Sequence, residues 1–223
     1  MSAPRLGRLA GLSAAVFTPA PATPAGPTVL LGHGAGSDFR EALLTGVATG
    51  LAARGVTSVT FNFPYRERGS RLPDRGPVLE ECFATVADAL ATDLGLRPDV
   101  LIAGGKSMGG RIATQAAARG RLACRALLLL GYPLHPAGKP AALRTRHLAS
   151  VGRPMLFVSG TRDPLARREL LEATLTPLGP AATLHLVSDG DHSLVTRVRS
   201  GRSRADVLAE VVAVIATWMA TLR

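Results

Sequence analysis

The sequence predicts a fold of the α/β class, in which a mostly parallel central sheet has helices on both faces. Along the 223 residues, short and continuously apolar runs alternate with longer segments whose apolar residues recur at helical spacing. The short runs lack the in-out alternation of half-exposed strands, which is typical of parallel strands that are covered on both sides. Because strands and helices take turns, the pattern favours a parallel sheet with helices packed on both faces.

Six apolar runs are predicted as strands of the sheet, at residues 28–31, 58–63, 100–103, 126–130, 155–159 and 183–187. Before them, residues 12–18 are predicted as an edge strand, and a proline-rich stretch at residues 19–27 leads from it into the sheet. The apolar run at residues 9–17 follows two arginines and faintly resembles a signal peptide. Gly11 and Ser13 interrupt that run, so we favour the strand.

Five helices are predicted between and after the strands, at residues 38–54, 77–94, 108–119, 163–178 and 203–222. The last has the clearest pattern, since Ser203 and Asp206 resemble a capping box and the apolar residues that follow hold one face. We find neither an internal repeat nor a linker. Residues 1–223 are therefore predicted to form one domain, with residues 1–27 as its edge strand and lead-in.

Composition excludes several classes of function. Apolar residues make up 47% of the chain, enough for a sizeable core, which excludes wholesale disorder. The formal charge of +10 comes almost entirely from arginines spread along the chain, and few aromatic residues are present to stack on bases, so we expect no nucleic-acid partner. One predicted loop carries a cluster of four arginines, Arg197, Arg199, Arg202 and Arg204. We interpret this cluster as a solvated basic rim and keep anion binding as the alternative.

The sequence gives no sign of a metal or an organic cofactor. Cys82 and Cys124 lie far apart, with neither a CxxC spacing nor a nearby histidine cluster, so neither a zinc site nor a disulfide framework is predicted. The longest apolar tract, residues 207–220, contains Glu210 and is too short to span a bilayer. We therefore expect a cytoplasmic protein without cofactor, metal or membrane span, and no pattern predicts its oligomeric state.

The sharpest motif is G-K-S-M-G at residues 105–109, which follows a predicted strand and opens a predicted helix. In this context G-x-S-x-G is typical of a nucleophile elbow, a tight turn that exposes the serine hydroxyl and needs small neighbours. The segment is not a phosphate-binding P-loop, because that motif requires a glycine where the chain has Val100. Residues 32–37 likewise lack the last glycine of a dinucleotide-binding fingerprint. Ser107 is therefore the candidate nucleophile.

A serine nucleophile at neutral pH needs an imidazole to accept its proton and a carboxylate to orient the imidazole. Asp163 follows the predicted strand at residues 155–159, and His192 follows the last predicted strand, so the three groups come in the order Ser, Asp, His at strand ends. Asp189 and Asp191 are alternative acids, but residues so close to the histidine are poorly placed to reach its far nitrogen. Three other histidines, His135, His147 and His185, are expected to be structural.

The loop at residues 33–38 is predicted to complete the site. A developing oxyanion needs two preorganised N–H donors. Met108, the residue after the nucleophile, is predicted to supply one amide, and Ala35 of the loop is predicted to supply the other. Gly34 lets the loop backbone approach the substrate, whereas His33 is expected to brace the loop and not to react.

The residues G-G-K-S-M-G-G-R at positions 104–111 are more particular than a generic elbow. Together with the segments at residues 33–38, 61–66, 131–136 and 190–193, they resemble the α/β-hydrolase family that includes bacterial dienelactone-hydrolase-like proteins. Its eukaryotic relatives include subunit 3 of the non-specific-lethal histone acetyltransferase complex and testis-expressed 30-like proteins. The resemblance extends over most of the chain, and it implies the α/β-hydrolase fold and a serine triad at Ser107, Asp163 and His192. True dienelactone hydrolases differ in using a cysteine nucleophile.

From these observations we predict a serine hydrolase that cleaves small carboxylic esters or thioesters. The alternative is a hydrolase-shaped interaction protein with little turnover. In this fold a lid is usually inserted after the strand that follows the nucleophile helix. Here that stretch, residues 131–153, contains several prolines and glycines, so we predict loops with one short helix near residues 141–149 and no lid domain. Tyr132 and Leu134 are expected to line the wall of an open site.

Overall fold

The computed structural model describes residues 3–20, 27–96 and 100–222. Eight strands form one sheet: β1 (Arg5–Leu9), β2 (Leu12–Phe17), β3 (Thr28–Gly32), β4 (Thr57–Phe61), β5 (Leu101–Lys106), β6 (Ala126–Leu130), β7 (Met155–Gly160) and β8 (Ala182–Val187). Their order across the sheet is β1-β2-β4-β3-β5-β6-β7-β8. All neighbours from β4 to β8 pair in parallel, whereas β1 pairs antiparallel with β2, and β2 with β4. The predicted class, a mostly parallel α/β sheet, is confirmed.

Helices cover both faces of this sheet: α1 (Ala42–Ala52), α2 (Pro64–Glu67), α3 (Gly76–Leu94), α4 (Met108–Ala118), α5 (Arg168–Leu175) and α6 (Arg204–Ala220). α1 packs beside α6, and α3 packs beside α4. The two pairs belong to different apolar cores, one on each face. Successive side chains of one strand point to opposite faces of the sheet and so pack in different cores. In β6, Leu129 packs in the core of α3 and α4, whereas Leu128 packs in the core of α1 and α6. The continuous apolar runs of the sequence are thus strands buried on two sides.

The edge strand expected at residues 12–18 is not at the edge. These residues form β2, but β1 lies outside it and is the edge strand at that end of the sheet. Ala10 and Gly11 join the two strands in a tight turn, with positive φ angles of 51° and 76°. β1 reads R-L-G-R-L and is largely exposed, so it contains no apolar run that the sequence analysis could detect. Of the proline-rich lead-in, residues 21–26 lie outside the described residues.

Two helix starts show how capping sets the boundaries. α6 begins where predicted, because Ser203 and Asp206 form a complete capping box, in which each side chain accepts the backbone N–H of the other. α1 begins after the predicted start at Asp38, because Glu41 is its N-cap and accepts the Leu44 N–H at 3.1 Å. The residues between β3 and α1 therefore remain a loop at the carboxyl end of β3.

The segments around β7 also depart from the predicted helices. The helix predicted at residues 163–178 is shortened to α5, which is followed by a 3₁₀ helix at Thr176–Ala181. The helix expected near residues 141–149 is instead a 3₁₀ helix at Arg146–Ser150. α2 was not predicted. Within the three described ranges, no helix combines the length and the apolar character that crossing a bilayer requires.

The turn from β5 into α4 is packed tightly against the end of β3. A Cβ atom on Gly105 would lie 2.0 Å from the carbonyl oxygen of Gly32, and one on Gly109 would lie 2.1 Å from the same oxygen. Gly105 also has a φ of 144°, which residues with a side chain rarely adopt. Backbone therefore touches backbone on both sides of the turn, and a side chain at either glycine would push α4 away from the sheet.

Gly109→Ala is expected to destabilise the fold, because the new methyl group collides with rigid backbone. Overpacking of a core costs about 1–3 kcal/mol, and we expect the upper end of that range or more at this position. Gly7→Ala is the matched control, since a Cβ atom on Gly7 would meet nothing within 4 Å. Urea unfolding measures both variants. Equal free energies of unfolding for the two would contradict this account of the packing.

Candidate active site

Three side chains meet at the carboxyl edge of the sheet: Ser107 after β5, Asp163 after β7 and His192 after β8. His192 Nε2 lies 2.9 Å from Ser107 Oγ, and His192 Nδ1 lies 2.8 Å from Asp163 Oδ2. With Asp163 accepting the hydrogen on Nδ1, Nε2 is left to accept the hydrogen of the serine hydroxyl. The three side chains that the sequence singled out therefore lie in one series of hydrogen bonds.

Ser107 stands on a strained turn. Its φ of 51° and ψ of −113° lie in a region that residues other than glycine rarely adopt. Its N–H donates to the Leu130 carbonyl at the end of β6, at 2.9 Å, and so fastens the turn to the neighbouring strand. The residue is half-buried, and its hydroxyl is held at a fixed point above the sheet edge.

Asp163 is oriented by hydrogen bonds to both of its carboxylate oxygens. The residue is buried, with 2% of its surface exposed. Oδ1 accepts the Leu165 N–H at 2.8 Å, which leaves Oδ2 for the ring of His192. The Asp163 N–H donates to the Gly160 carbonyl at 3.1 Å and fixes the turn that leaves β7. The carboxylate is thus held in one orientation toward the imidazole.

The two alternative acids contribute to the loop that carries the histidine. Asp191 Oδ1 accepts the N–H groups of Ser193 and Val195, at 2.8 and 3.0 Å. Asp189 accepts hydrogen bonds from the side chain and the backbone of Arg197, which lower the pKa of this carboxyl to about 2. Both carboxylates are therefore used in shaping the turn.

The arginine cluster after this loop is partly neutralised. Two of its four members form ion pairs, Arg197 with Asp189 and Arg202 with Glu210 of α6. The other two arginines are exposed. This arrangement fits the interpretation of the cluster as a solvated rim.

Two backbone N–H groups lie close to the nucleophile. Met108 is the first residue of α4, where helix geometry leaves the N–H without an acceptor in the preceding turn. The loop after β3 lies against the elbow, since a Cβ atom on Gly34 would lie 3.7 Å from Ser107 Cβ. Ala35 of that loop lines the same cavity as Ser107 and Met108. Such an arrangement can supply the two amide donors that a tetrahedral oxyanion needs.

His33 braces this loop from within. The side chain is fully buried, and its Nε2 accepts the Phe63 N–H at 3.1 Å. Nδ1 therefore carries the hydrogen and donates it to the Gly34 carbonyl at 2.8 Å. Burial lowers the pKa of His33 to about 4, so the ring is neutral at pH 7. The residue ties the loop to the chain that follows β4.

A cavity of about 340 Å³ opens beside Ser107. Its wall differs from the expected one, because Tyr132 and Leu134 are buried, with 1% and 0% of their surfaces exposed, and do not line it. Pro133 and His135 line it instead, as the side chains of an extended segment alternate in direction. The expected segment therefore contributes to the cavity wall, through Pro133 and His135 and not through Tyr132 and Leu134.

Sequence analysis missed two further residues of the cavity wall, Arg111 and Arg144. Arg111 lies four residues after Ser107 in the predicted helix. Because residues four apart lie on the same side of a helix, this spacing could have identified Arg111 as a neighbour of the nucleophile. Arg144 precedes the 3₁₀ helix at Arg146–Ser150, which packs on α4. No local pattern in the sequence indicates that placement.

Other side chains with reactive potential have structural surroundings. Among the described residues, no group of three His, Cys, Asp or Glu side chains is arranged to hold a metal ion. Cys82 and Cys124 are free and buried, and burial raises their pKa values to about 12 and about 11. Both are therefore protonated and unreactive thiols at neutral pH. His147 and His185 form hydrogen bonds within the fold.

The fold matches known proteins. Residues 25–220 match the family described as alpha/beta hydrolase domain. The chain belongs to this family. Solved structures of the same fold include Est1E from Butyrivibrio proteoclasticus, with a TM-score of 0.74 and 16% sequence identity over 98% of this chain and 99% of that one.

Two further structures are similar to this alpha/beta hydrolase. A serine hydrolase without a lid from Xanthomonas campestris has a TM-score of 0.71 and 20% identity, over 98% of this chain and 96% of that one. A dienelactone hydrolase from Anabaena variabilis has a TM-score of 0.69 and 21% identity, over 96% of both chains. In this chain, residues 131–153 form loops and one 3₁₀ helix, so this stretch contains no lid domain.

Acid is expected to destabilise the hydrolase fold through His33. Its pKa is about 4 in the folded chain against an ordinary value of 6.5, so below pH 6.5 the unfolded chain binds more protons and stability falls as the pH falls toward 4. The full effect is about 3 kcal/mol. Urea unfolding across this interval should show a smaller loss in His33→Gln than in the native chain. Equal losses in the native chain and His33→Gln would show that the ring is not held neutral.

Proposed function

We propose that the chain is a serine hydrolase that cleaves small carboxylic esters or thioesters through an acyl-enzyme formed on Ser107. The supporting observation is the series of hydrogen bonds from Asp163 through His192 to Ser107, at 2.8 and 2.9 Å. A serine hydroxyl is a weak nucleophile unless a base accepts its proton, and this series supplies the base. Proteins of the same fold that are described as esterases or serine hydrolases support the reaction class.

In the acylation step, Ser107 Oγ attacks the carbonyl carbon while His192 Nε2 takes up the hydroxyl proton. Asp163 orients the ring and stabilises the imidazolium that forms. The carbonyl oxygen becomes an oxyanion, to which the N–H groups of Met108 and Ala35 donate. When the tetrahedral intermediate collapses, the bond to the leaving group breaks, and His192 gives its proton to the departing oxygen or sulfur.

In the deacylation step, water takes the place of the departed alcohol or thiol. His192 removes a proton from the water, and the water oxygen adds to the acyl carbon. A second oxyanion forms at the same two N–H groups. Its collapse breaks the bond to Ser107 Oγ, which recovers a proton from His192. The products are a carboxylic acid and an alcohol or thiol, with water as the second substrate.

The cavity beside Ser107 supports a small substrate. Its volume of about 340 Å³ lies near the lower end of ligand pockets, which span about 300–1,000 Å³. Residues 131–153 form no lid domain that could enclose a long chain. A buried methylene contributes about 0.8 kcal/mol to binding, whereas one that stays in water contributes nothing.

We further propose that residues 1–223 form one domain whose partner is a small molecule and not a nucleic acid. We propose a cytoplasmic location, where the free thiols of Cys82 and Cys124 would stay reduced. Within the alpha/beta hydrolases, we propose kinship with the dienelactone-hydrolase-like group that residues 104–111 resemble. The competing function is a hydrolase-shaped interaction protein with little turnover.

Ser107→Ala and His192→Ala are each expected to reduce turnover to a similar residual level, because nucleophile and base act as one unit. Asp163→Asn should lower kcat by roughly two to four orders of magnitude, since the imidazole loses the carboxylate that orients it. Steady-state hydrolysis of a nitrophenyl ester measures all three variants, and circular dichroism verifies that each is folded.

Asp191→Asn is the matched control for the acid. An amide oxygen can still accept the Ser193 N–H, so kcat should change far less. A larger loss in Asp191→Asn than in Asp163→Asn would contradict the assignment of the acid. A fluorophosphonate probe should label Ser107 in the native chain and leave Ser107→Ala unlabelled. Native, folded protein that resists the probe would favour the interaction protein.

The cavity size predicts a preference for short acyl groups. On a series of nitrophenyl esters, kcat/KM should peak at acyl groups of about two to four carbons and fall for longer ones, because the added methylenes remain outside the cavity. A maximum at about eight carbons or more, or activation at a lipid interface, would contradict an uncapped site.

A further inference from the structure

Two arginine side chains in the wall of the cavity lack a carboxylate partner. Arg111 and Arg144 both line the cavity that contains Ser107. Among the described residues, no Asp or Glu oxygen lies within 4.0 Å of either guanidinium group. The wall beside the candidate nucleophile therefore carries two positive charges that no ion pair within the described fold neutralises.

Arg111 is positioned by the helix that follows the nucleophile. It lies one turn after Ser107 in α4, and its backbone N–H donates to the Ser107 carbonyl at 3.1 Å. Its guanidinium donates to Gln115 Oε1 at 3.0 Å, a neutral partner. Burial and the nearby charge of Arg144 lower the pKa of Arg111. Two like charges thus lie close enough to repel each other, and a bound anion would remove the repulsion.

Arg144 is positioned by backbone contacts of the loop after β6. Its N–H donates to the Leu134 carbonyl at 2.7 Å, and its carbonyl accepts the Tyr132 hydroxyl at 3.4 Å. The side chain itself is exposed. The hydrogen-bonded backbone therefore keeps Arg144 at the cavity. Its guanidinium group is solvated and can contact a ligand that enters.

His135 adds a third polar group to the same wall. Only 3% of the residue is exposed. Nδ1 lies 2.9 Å from the Pro136 carbonyl, to which it donates its hydrogen, and the buried Nε2 has no hydrogen-bond partner among the described residues. With the hydrogen on Nδ1, Nε2 is an acceptor, so a carboxylate, which offers only acceptors, cannot bond to it. Arg111 and Arg144 are therefore the groups of this wall that can bind an anion.

The acidic groups near these arginines are paired with other arginines. Asp74 also lines the cavity; its Oδ1 is bound to Arg68, and its buried Oδ2 has no hydrogen-bond partner among the described residues. Glu80, which attracts Arg111 from a distance, is bound to Arg119. With two arginines against one aspartate, the cavity wall has a net positive charge.

We propose that Arg111 and Arg144 bind a carboxylate at the far end of the acyl group, so that the preferred substrates are half-esters or half-thioesters of short dicarboxylic acids. This inference rests on the proposed hydrolase function. The acyl side is indicated because the cavity is lined by Ser107 and not by His192, and the leaving group must lie near His192 to be protonated. Arg111 lies one helical turn after Ser107, and the volume of about 340 Å³ limits the acyl group to a short one, such as succinyl or glutaryl.

Monoethyl succinate and ethyl succinamate test this preference. They share the leaving group and the shape of the acyl chain, but the first ends in a carboxylate and the second in a neutral amide. In the native chain, we expect kcat/KM to be roughly tenfold higher for the half-ester.

Arg111→Gln and Arg144→Gln should each lower the ratio of kcat/KM for monoethyl succinate to kcat/KM for ethyl succinamate by roughly tenfold. Arg146→Gln removes the same charge from the 3₁₀ helix that follows Arg144, outside this cavity, and should leave the ratio unchanged. An equal fall in Arg146→Gln would overturn the site.

Ser107→Ala separates a failure of the anion site from a failure of the hydrolase. Calorimetric titration with monoethyl succinate measures binding without turnover, and adding Arg144→Gln to Ser107→Ala should weaken that binding by roughly tenfold. Hydrolysis of neutral esters without preference for the half-ester would overturn the anion site and leave the hydrolase standing. A native chain that neither turns over any ester nor reacts with fluorophosphonate would overturn the hydrolase, and the titration would still decide whether the cavity binds a carboxylate.

The bound anion could instead be a phosphate on the leaving group. A pair of thioesters distinguishes this phosphate from a carboxylate on the acyl group. Butyryl-coenzyme A carries phosphates on its leaving group, whereas the butyryl thioester of N-acetylcysteamine does not. If Arg144→Gln lowers kcat/KM for the phosphate-bearing thioester more than for monoethyl succinate, the carboxylate does not lie on the acyl side. Equal effects of Arg144→Gln on the two thioesters would support the acyl-side placement.

Discussion

Gly105 and Gly109 both touch the backbone of Gly32, and this contact constrains the rest of the site. It starts α4 directly at the edge of the sheet, so Ser107 has little choice of backbone conformation. The unusual φ of 51° at Ser107 is sustained because Leu130 of the neighbouring strand accepts its N–H. The same packing brings the loop after β3 alongside the serine. One arrangement of backbone therefore positions both the candidate nucleophile and a candidate oxyanion donor.

A second backbone contact joins the loops that carry the acid and the base. A Cβ atom on Gly160 would lie 2.2 Å from the carbonyl oxygen of Gly190, so the ends of β7 and β8 approach closely. The Arg162 N–H donates to that same carbonyl at 2.8 Å. Asp163 and His192, each just beyond this contact, meet from separate loops. Backbone geometry thus positions the chemical groups, while the side chains of the cavity wall remain to select the substrate.

The fold was predictable where local sequence reflects burial. The central strands are covered on two faces, and their continuous apolar runs show it. β1 was missed because all of its residues except Leu9 are exposed, so pairing with β2 and not an apolar run defines this strand. The start of α6 was visible because Ser203 is a preferred N-cap, whereas α1 is capped by Glu41, a residue type that is not among the preferred caps. Boundaries that depend on an unusual cap cannot be predicted from propensity.

For the candidate site, the sequence by itself determined the types of residue, their order and their position at strand ends, because an elbow motif and a strand end are local patterns. Only the tertiary structure decided that Asp163, and not Asp191, lies against the histidine ring, and that His135 and Arg144 belong to the cavity wall. The two ring nitrogens of His192 bond to residues 29 and 85 positions away in the chain. Such distant groups meet only when the sheet has aligned its strand ends, so no local pattern could specify which of them would touch.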